Sequence, residues 1–311
     1  MNVQELITET REVDTNLELL VISRKFLLRI AKDQRWYERS IIPTAEFLQR
    51  LRERRIDIFM LLERSWTCNI HSPQKSWAKT EDNVALLYLK SYDEWWKSIC
   101  KKTRNVIRKA GREGIRTSIA EPDEKLAEGI WRIYNETPIR QERSFLLFGT
   151  DLQEVKTSLN SEQNCTYVGA YLQDELAGFM RLIHGDNIII ISQILSLKKL
   201  WNKAINNALI AKAIEVCASE NVKWMLYGRM GDFSNPSLDK FKQSNGFSRF
   251  QVTRYYVPIT RKGKLAIKLG LYKEAKEMLP RSMKCFSIPI YNWLSRCKIR
   301  TKLYLRPRAA D

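Results

Sequence analysis

The chain has 311 residues and a formal net charge of +18, with 44% hydrophobic and 28% charged residues. That balance belongs to a globular protein with a sizeable core and excludes disordered, fibrous and collagen-like classes. The excess charge is confined to two segments. Residues 97–116 carry eight cations and one acid, Glu113, while 261–311 carry fourteen cations against Glu274, Glu277 and Asp311, so the rest of the chain is neutral.

The first fourteen residues, MNVQELITETREVD, are polar and acidic and lack the apolar core of a signal peptide. The longest uncharged runs, 187–197 and 285–295, are too short to cross a bilayer. A cytoplasmic location is expected, with peripheral attachment to a membrane left open. Six cysteines without a CxxC pair, and only two histidines, His71 and His184, give no zinc framework and little material for a Ser-His-Asp triad. Metal catalysis is not expected. His184 precedes Gly185-Asp186-Asn187 and reads as a turn position.

In chain order, 1–65 reads as helical with interruptions, including Pro43 before the mixed stretch 44–63, and 1–82 is taken as an N-terminal, mainly helical region. NVALLYLK (83–90) reads as a buried strand. Ser91-x-x-Glu94 is a capping box that opens a helix over 91–110. On that helix Trp96, Ile99, Cys100, Val106, Ile107 and Ala110 share an apolar face, and Lys97, Lys101, Arg104 and Arg108 a basic one. Gly111 and Gly114 stop it. A second helix is expected over 123–136, ended by Pro138, and Thr150-x-x-Gln153 opens a short third.

From Cys165 the period changes to two. CTYVGAYL, LAGFMRLIH and IIIISQIL, separated by turns at 173–175 and 185–187, predict an antiparallel meander. A helix over 202–220 follows, with Ile205, Leu209, Ala213 and Val216 inward, then a strand at 222–227, a helix at 236–243 and a strand at 247–258. The fold class is α+β with a mixed sheet over 83–260. The extension 261–311 mixes cations with Tyr272, Phe286, Tyr291, Trp293 and Tyr304, and a helix over 263–279 is stopped by Pro280. It suits nucleic acid, an anionic membrane surface, or simple packing on the domain with the charges in water.

Three antiparallel strands followed by helix, strand, helix and strand is the order of the GNAT acyltransferase fold. The segments TRNVIRKAGREGIR (103–116), YNETPIRQERSFLLFG (134–149), VGAYLQDELAGFM (168–180) and FKQSNGFSRFQVTRYYV (241–257) resemble the Fem-type peptidyltransferases and their short acetyltransferase-like relatives. The resemblance covers roughly 83–260, about half of the chain.

It implies an acyltransferase that takes an acyl or aminoacyl group from acyl-CoA (such as acetyl-CoA) or aminoacyl-tRNA. The acceptor is an amine or hydroxyl, as on a cell-envelope precursor. Gln193, Ile194, Leu195 and Ser196 then lie beside the acyl arm, and the helix start at 202–207 faces donor phosphates, with Lys198, Lys199 and Lys203 nearby. The family's pyrophosphate loop has a Gln or Arg where this chain has Trp201, glycine where it has Ala204, and glycine or alanine where it has Asn206. Cβ atoms there crowd a pyrophosphate, and Fem-type enzymes also lack this loop. Asn206 and Asn207 are either donor contacts or ordinary polar residues at a helix start.

Glu136 and Tyr227 are the candidates for proton transfer. Arg104 and Arg108 offer phosphate contacts, and Arg140 and Arg143 could clamp an acceptor anion, or simply be surface arginines. The alternative reading is a non-catalytic GNAT-like module that binds RNA or a membrane surface.

Overall fold

The computed structural model describes residues 20–25, 27–33, 41, 43–63, 77–140, 143–161, 164–185, 187–231 and 236–273. Its strands are β1 (Leu20–Lys25), β2 (Leu28–Asp33), β3 (Ile58–Glu63), β4 (Ala78–Tyr88), β5 (Arg116–Ala120), the two-residue β6 (Ile139–Arg140) and β7 (Arg143–Ser144), β8 (Cys165–Leu172), β9 (Glu175–Gly185), β10 (Ile188–Ser196), β11 (Trp224–Leu226) and β12 (Ser248–Pro258). Its helices are α1 (Ala45–Glu53), α2 (Tyr92–Ser98), α3 (Lys101–Arg112), α4 (Glu124–Asn135), α5 (Leu152–Ser161), α6 (Ile205–Ser219), α7 (Pro236–Ser244) and α8 (Arg261–Lys268).

Ten strands form one mixed sheet in the order β1-β2-β3-β12-β4-β11-β10-β9-β8-β5, and β6 and β7 pair separately. The meander β8–β9–β10 is antiparallel, as its period-two pattern predicts. Alternation sends Val168 and Met180 to one face and Tyr167 and Phe179 to the other. α6 covers the first face with Ile205, Leu209, Ala213 and Val216, all at most 4% exposed. α4 covers the second with Leu126, Ile130 and Ile133. Each Leu, Ile or Val among them contributes about 1.5–3 kcal/mol of burial free energy. The first turn of α6 lies directly on β9 because Gly178 has no side chain: a Cβ there would stand 2.6 Å from Ile205 Cγ2 and 3.0 Å from the Leu195 carbonyl oxygen.

Among the described residues before 66 there are one helix, α1 after Pro43, and three strands that the helical reading missed. β3 pairs antiparallel with β12, and β12 with β4, so these strands extend the same sheet. LRIAKD and IFMLLE are too short to announce a helix or strand by period, and the neighbouring strands decide them, β1 and β3 for the first and β12 for the second. β4 runs across the 82/83 division drawn from the sequence.

The helix expected over 91–110 is two helices. Ile99 (ψ 149°) and Cys100 (ψ 156°) are extended, which ends α2 and starts α3. Arg104 Nη1 donates to the carbonyls of Trp96 (3.1 Å), Lys97 (3.2 Å) and Ile99 (2.8 Å), groups left open at the break. Ser91 caps α2 through a bond from Glu94 N, and Asp123 caps α4 through one from Leu126 N. At α5 the role expected of Thr150 falls to Asp151, whose carboxylate accepts from Gln153 N at 2.6 Å. α8 ends at Lys268, before Gly270 at φ 69°, earlier than the helix expected over 263–279. Residues 274–311, with Phe286, Tyr291, Trp293 and Tyr304, lie outside the described residues, as does His71.

Candidate functional site

The neighbouring strands β10 and β11 are parallel, and they pair only from Ile188↔Trp224 to Ile190↔Leu226. Beyond this point β10 shifts register against β9, between Ile191 and Gln193, and continues to Ser196. The chain after β11 instead stays with β4, where Tyr227 N donates to Ala85 O and Ala85 N to Gly228 O. The two strands therefore part, leaving the far half of β10 without β11 beside it. Carboxyl ends of parallel strands are where open sheets of this kind hold ligands.

On one face of this divergence α6 begins. Ala204 sits in the left-handed region (φ 58°, ψ 30°) as the residue preceding α6, with no side-chain cap and no acid in the first turn. A residue with a Cβ holds this conformation at a cost of about 1–2 kcal/mol. Asn206 Oδ1 is buried without a hydrogen-bond partner, and Asn207 Nδ2 reaches Asn245 Oδ1 at 3.4 Å. Tyr227 lies on the same face. Its ring packs edge-on against Phe247, and Lys242 Nζ stands 4.5 Å from its centroid. Burial raises the Tyr227 phenol above its ordinary value.

The loop between β10 and α6 is held by groups that the sequence reading assigned to ligands. Glu136 accepts from Lys198 N (2.6 Å) and Lys199 N (3.1 Å) and pairs with Arg140 (3.2 Å). Arg140 is buried; it donates to the carbonyls of Ser196 (2.8 Å) and Ile133 (2.6 Å) and faces the Phe145 ring. Burial draws its pKa down, against the pull of Glu136. The two residues form a buried brace from α4 to the end of β10. Lys203 pairs with Glu113 at 2.9 Å, and Lys109 Nζ donates to Asn202 O at 2.7 Å, which ties α3 to the loop. Arg108 lies over the Trp96 ring at 5.3 Å. Arg104, as described, caps α2.

On the opposite face, β8, β9 and β10 meet α4 and α5 around a cavity of about 270 Å³. Gln193 reaches into it, its Oε1 accepting from Tyr134 Oη at 2.8 Å. Arg181, whose Nε donates to Ser192 Oγ at 2.8 Å, and Glu154 supply one charge of each sign, and Phe179 and Leu159 supply apolar wall. Ile194 faces α6 instead, and Leu195 packs with Tyr134 on the α4 side. Ser196 is buried. Gln193 and Tyr227 thus flank the divergence on opposite faces of the sheet. Tyr134, Glu154 and Arg181 escaped sequence reasoning. Arg181 carried a readable signal, a charge inside the otherwise apolar run LAGFMRLIH. His184, bonded to Thr166 Oγ1 at 2.8 Å and paired with Glu220 at 3.1 Å, secures the end of β9.

This mixed sheet with a meander, a following helix and a parted parallel pair is a GNAT-like fold. No family model matches the chain, and no curated protein matches it by sequence. Among solved structures it is similar to L-PGS from Bacillus licheniformis, at 14% identity over 81% of this chain and 84% of that one, TM-score 0.52. It is also similar to the C-terminal domain assigned to a lysylphosphatidylglycerol synthetase from Agrobacterium fabrum, at 9% identity over 80% and 83% of the two chains, TM-score 0.51. FemX matches at 10% identity over 85% of this chain and 78% of its own, TM-score 0.48.

Proposed function

We propose that the chain is an acyltransferase that moves an aminoacyl group from an ester donor to an amine or hydroxyl acceptor. The reacting carbonyl would lie where β10 and β11 part. That divergence, with the amide edge of β10 bare beyond Ile190 and the N-terminus of α6 beside it, is the observation that carries the reading. It provides donors for a developing oxyanion without any further group. The names of the two similar synthetases support an aminoacyl donor and an acceptor in the cell envelope, such as a lipid.

Coenzyme A does not fit the loop as it stands. The Glu136 carboxylate holds the amides of Lys198 and Lys199, and its charge opposes a pyrophosphate there. Ala204 and Asn206 also present side chains where a pyrophosphate needs bare backbone. An aminoacyl ester on tRNA escapes both obstacles, because its phosphates need not occupy this loop.

Transfer forms a bond from acceptor nitrogen or oxygen to the carbonyl carbon and breaks the ester C–O bond. The acceptor's proton ends on the leaving hydroxyl. Tyr227, on the α6 face where the chain after β11 stays with β4, would donate to that leaving oxygen and be reprotonated from the acceptor. Gln193 would orient the reactant in the α4–α5 cavity, where Glu154 suits an ammonium group and Arg181 a carboxylate or phosphate. The test supplies the full chain with mixed aminoacyl-tRNA or acetyl-CoA, with phosphatidylglycerol vesicles as acceptor, and reads lipid products by mass spectrometry. Aminoacyl-lipid is expected, with Tyr227→Phe lowering kcat about 10²-fold. Acetyl transfer alone, or salt-sensitive tRNA binding without transfer, would overturn the reading.

A further inference from the structure

α8 and the turn after it are fixed to the sheet unusually firmly for so short a segment. Asp57 is the hub. Its carboxylate accepts from Arg29 N (2.9 Å) and Thr260 Oγ1 (2.7 Å) and meets Lys262 Nζ at 3.5 Å. Its carbonyl accepts from Ile259 N at 2.9 Å. Gly263 allows this approach, since a Cβ there would fall 2.0 Å from the Asp57 carbonyl oxygen. Lys262 also donates to Leu27 O in the β1–β2 turn. Four residues after α8, Tyr272 is buried against the Tyr256 ring at 4.5 Å.

The helix buries Gly263 and Ala266 and presents the opposite side to solvent. That outer side is not polar. Leu265 is 58% exposed, Leu269 61%, and Leu27 in the adjoining turn 83%. Leu265 and Leu269 are four residues apart, one above the other on the helix. Around them stand Arg261, Lys262, Lys264, Lys268 and Lys273, all exposed, and 261–273 contains no acid. Among the described residues, Arg261, Lys264, Lys268 and Lys273 have no ion-pair partner.

We infer that this patch, α8 with the β1–β2 turn, docks on an anionic lipid surface. Cations draw it to the negative headgroups and the three leucines enter the boundary below them. Leucine contributes nothing against a nucleic-acid backbone, whereas at a lipid interface it gains burial, and that favours lipid over RNA. Anchoring through Asp57 presents leucines and cations together, so the backbone of the patch needs no reordering on binding. The inference stands whether or not the chain transfers an acyl group.

The test is flotation of the full chain with phosphatidylcholine vesicles, with and without phosphatidylglycerol, and with mixed tRNA in a separate arm. Binding only to the anionic vesicles is expected, weakened by salt. L265S/L269S should lower vesicle affinity about tenfold or more, and K264E/K268E by a similar factor. Both variants alter exposed side chains, and an unchanged thermal midpoint shows that they fold. Absence of binding to anionic vesicles, equal binding by L265S/L269S and the parent, or binding to tRNA in place of vesicles overturns the inference.

Discussion

The two basic segments look alike in sequence and behave differently in the fold. Among the described residues, four of the eight cations along 97–116 are engaged by the protein itself: Arg104 by three carbonyls, Arg108 by Trp96, Lys109 by the Asn202 carbonyl, and Arg116 by Asp174. Along 261–273 only Lys262 is engaged in this way, and the others stand in solvent around exposed leucines. Charge density in a sequence therefore marks where cations lie, and it is their engagement that says whether they are left for a partner. At 97–116 carbonyls engage Arg104 and Lys109, a ring engages Arg108, and an acid, Asp174, answers Arg116.

The sharpest way to break that comparison is to remove engaged and free cations in turn. Arg140→Ala should cost most, about 3 kcal/mol, because it strips a buried guanidinium from the carbonyls of Ser196 and Ile133 and leaves the Glu136 carboxylate short of its partner. Arg104→Ala should follow at about 2 kcal/mol, since three carbonyls at the α2–α3 break lose their donor. Lys264→Ala and Lys268→Ala should each stay within about 0.5 kcal/mol. Urea denaturation reads all four. Equal losses for the two groups would show that engagement does not separate them.

Much of the fold was legible, and the reasons for the misses are physical. The meander and α6 were readable because period-two and period-3.6 patterns ran for eight residues or more, as with Ile205, Leu209, Ala213 and Val216. β1 to β3 were not, because six-residue runs take their identity from the strands beside them, as IFMLLE does from β12, far along the chain. The α2–α3 break hid inside a continuous helical pattern, since Arg104 ends α2 from within the next helix. The bracing of the loop at 197–204 by Glu136 and Arg140 depends on α4 arriving from about 60 residues away and leaves no local trace.

A gain in stability is expected at that loop. Ala204 holds a left-handed backbone, so Ala204→Gly removes the steric cost while adding unfolded-chain entropy, for a net stabilisation of about 0.5–1 kcal/mol. Thermal melts against the parent measure it. A loss would mean that the Ala204 methyl makes contacts worth more than the strain.

The smallest energetic effect, and the most direct view of the first basic segment, is at its cysteine. A continuous helix over 91–110 places Cys100 on the apolar face with Ile99, yet the break leaves Ile99 buried and Cys100 exposed. A hydrogen bond with Thr103 Oγ1 at 3.2 Å stabilises the thiolate and lowers the Cys100 pKa. Cys217, inside α6, is fully buried, and desolvation pushes its thiol far up. Iodoacetamide at neutral pH should therefore alkylate Cys100 first and Cys217 only on unfolding, with the labelled peptide identified by mass spectrometry. Thr103→Val should slow Cys100 labelling near neutrality while leaving it accessible, because loss of the hydroxyl donor returns the pKa toward its ordinary value. A Cys100 as protected as Cys217 would restore the unbroken helix, and with it the row of Lys97, Lys101, Arg104 and Arg108 as a single basic face.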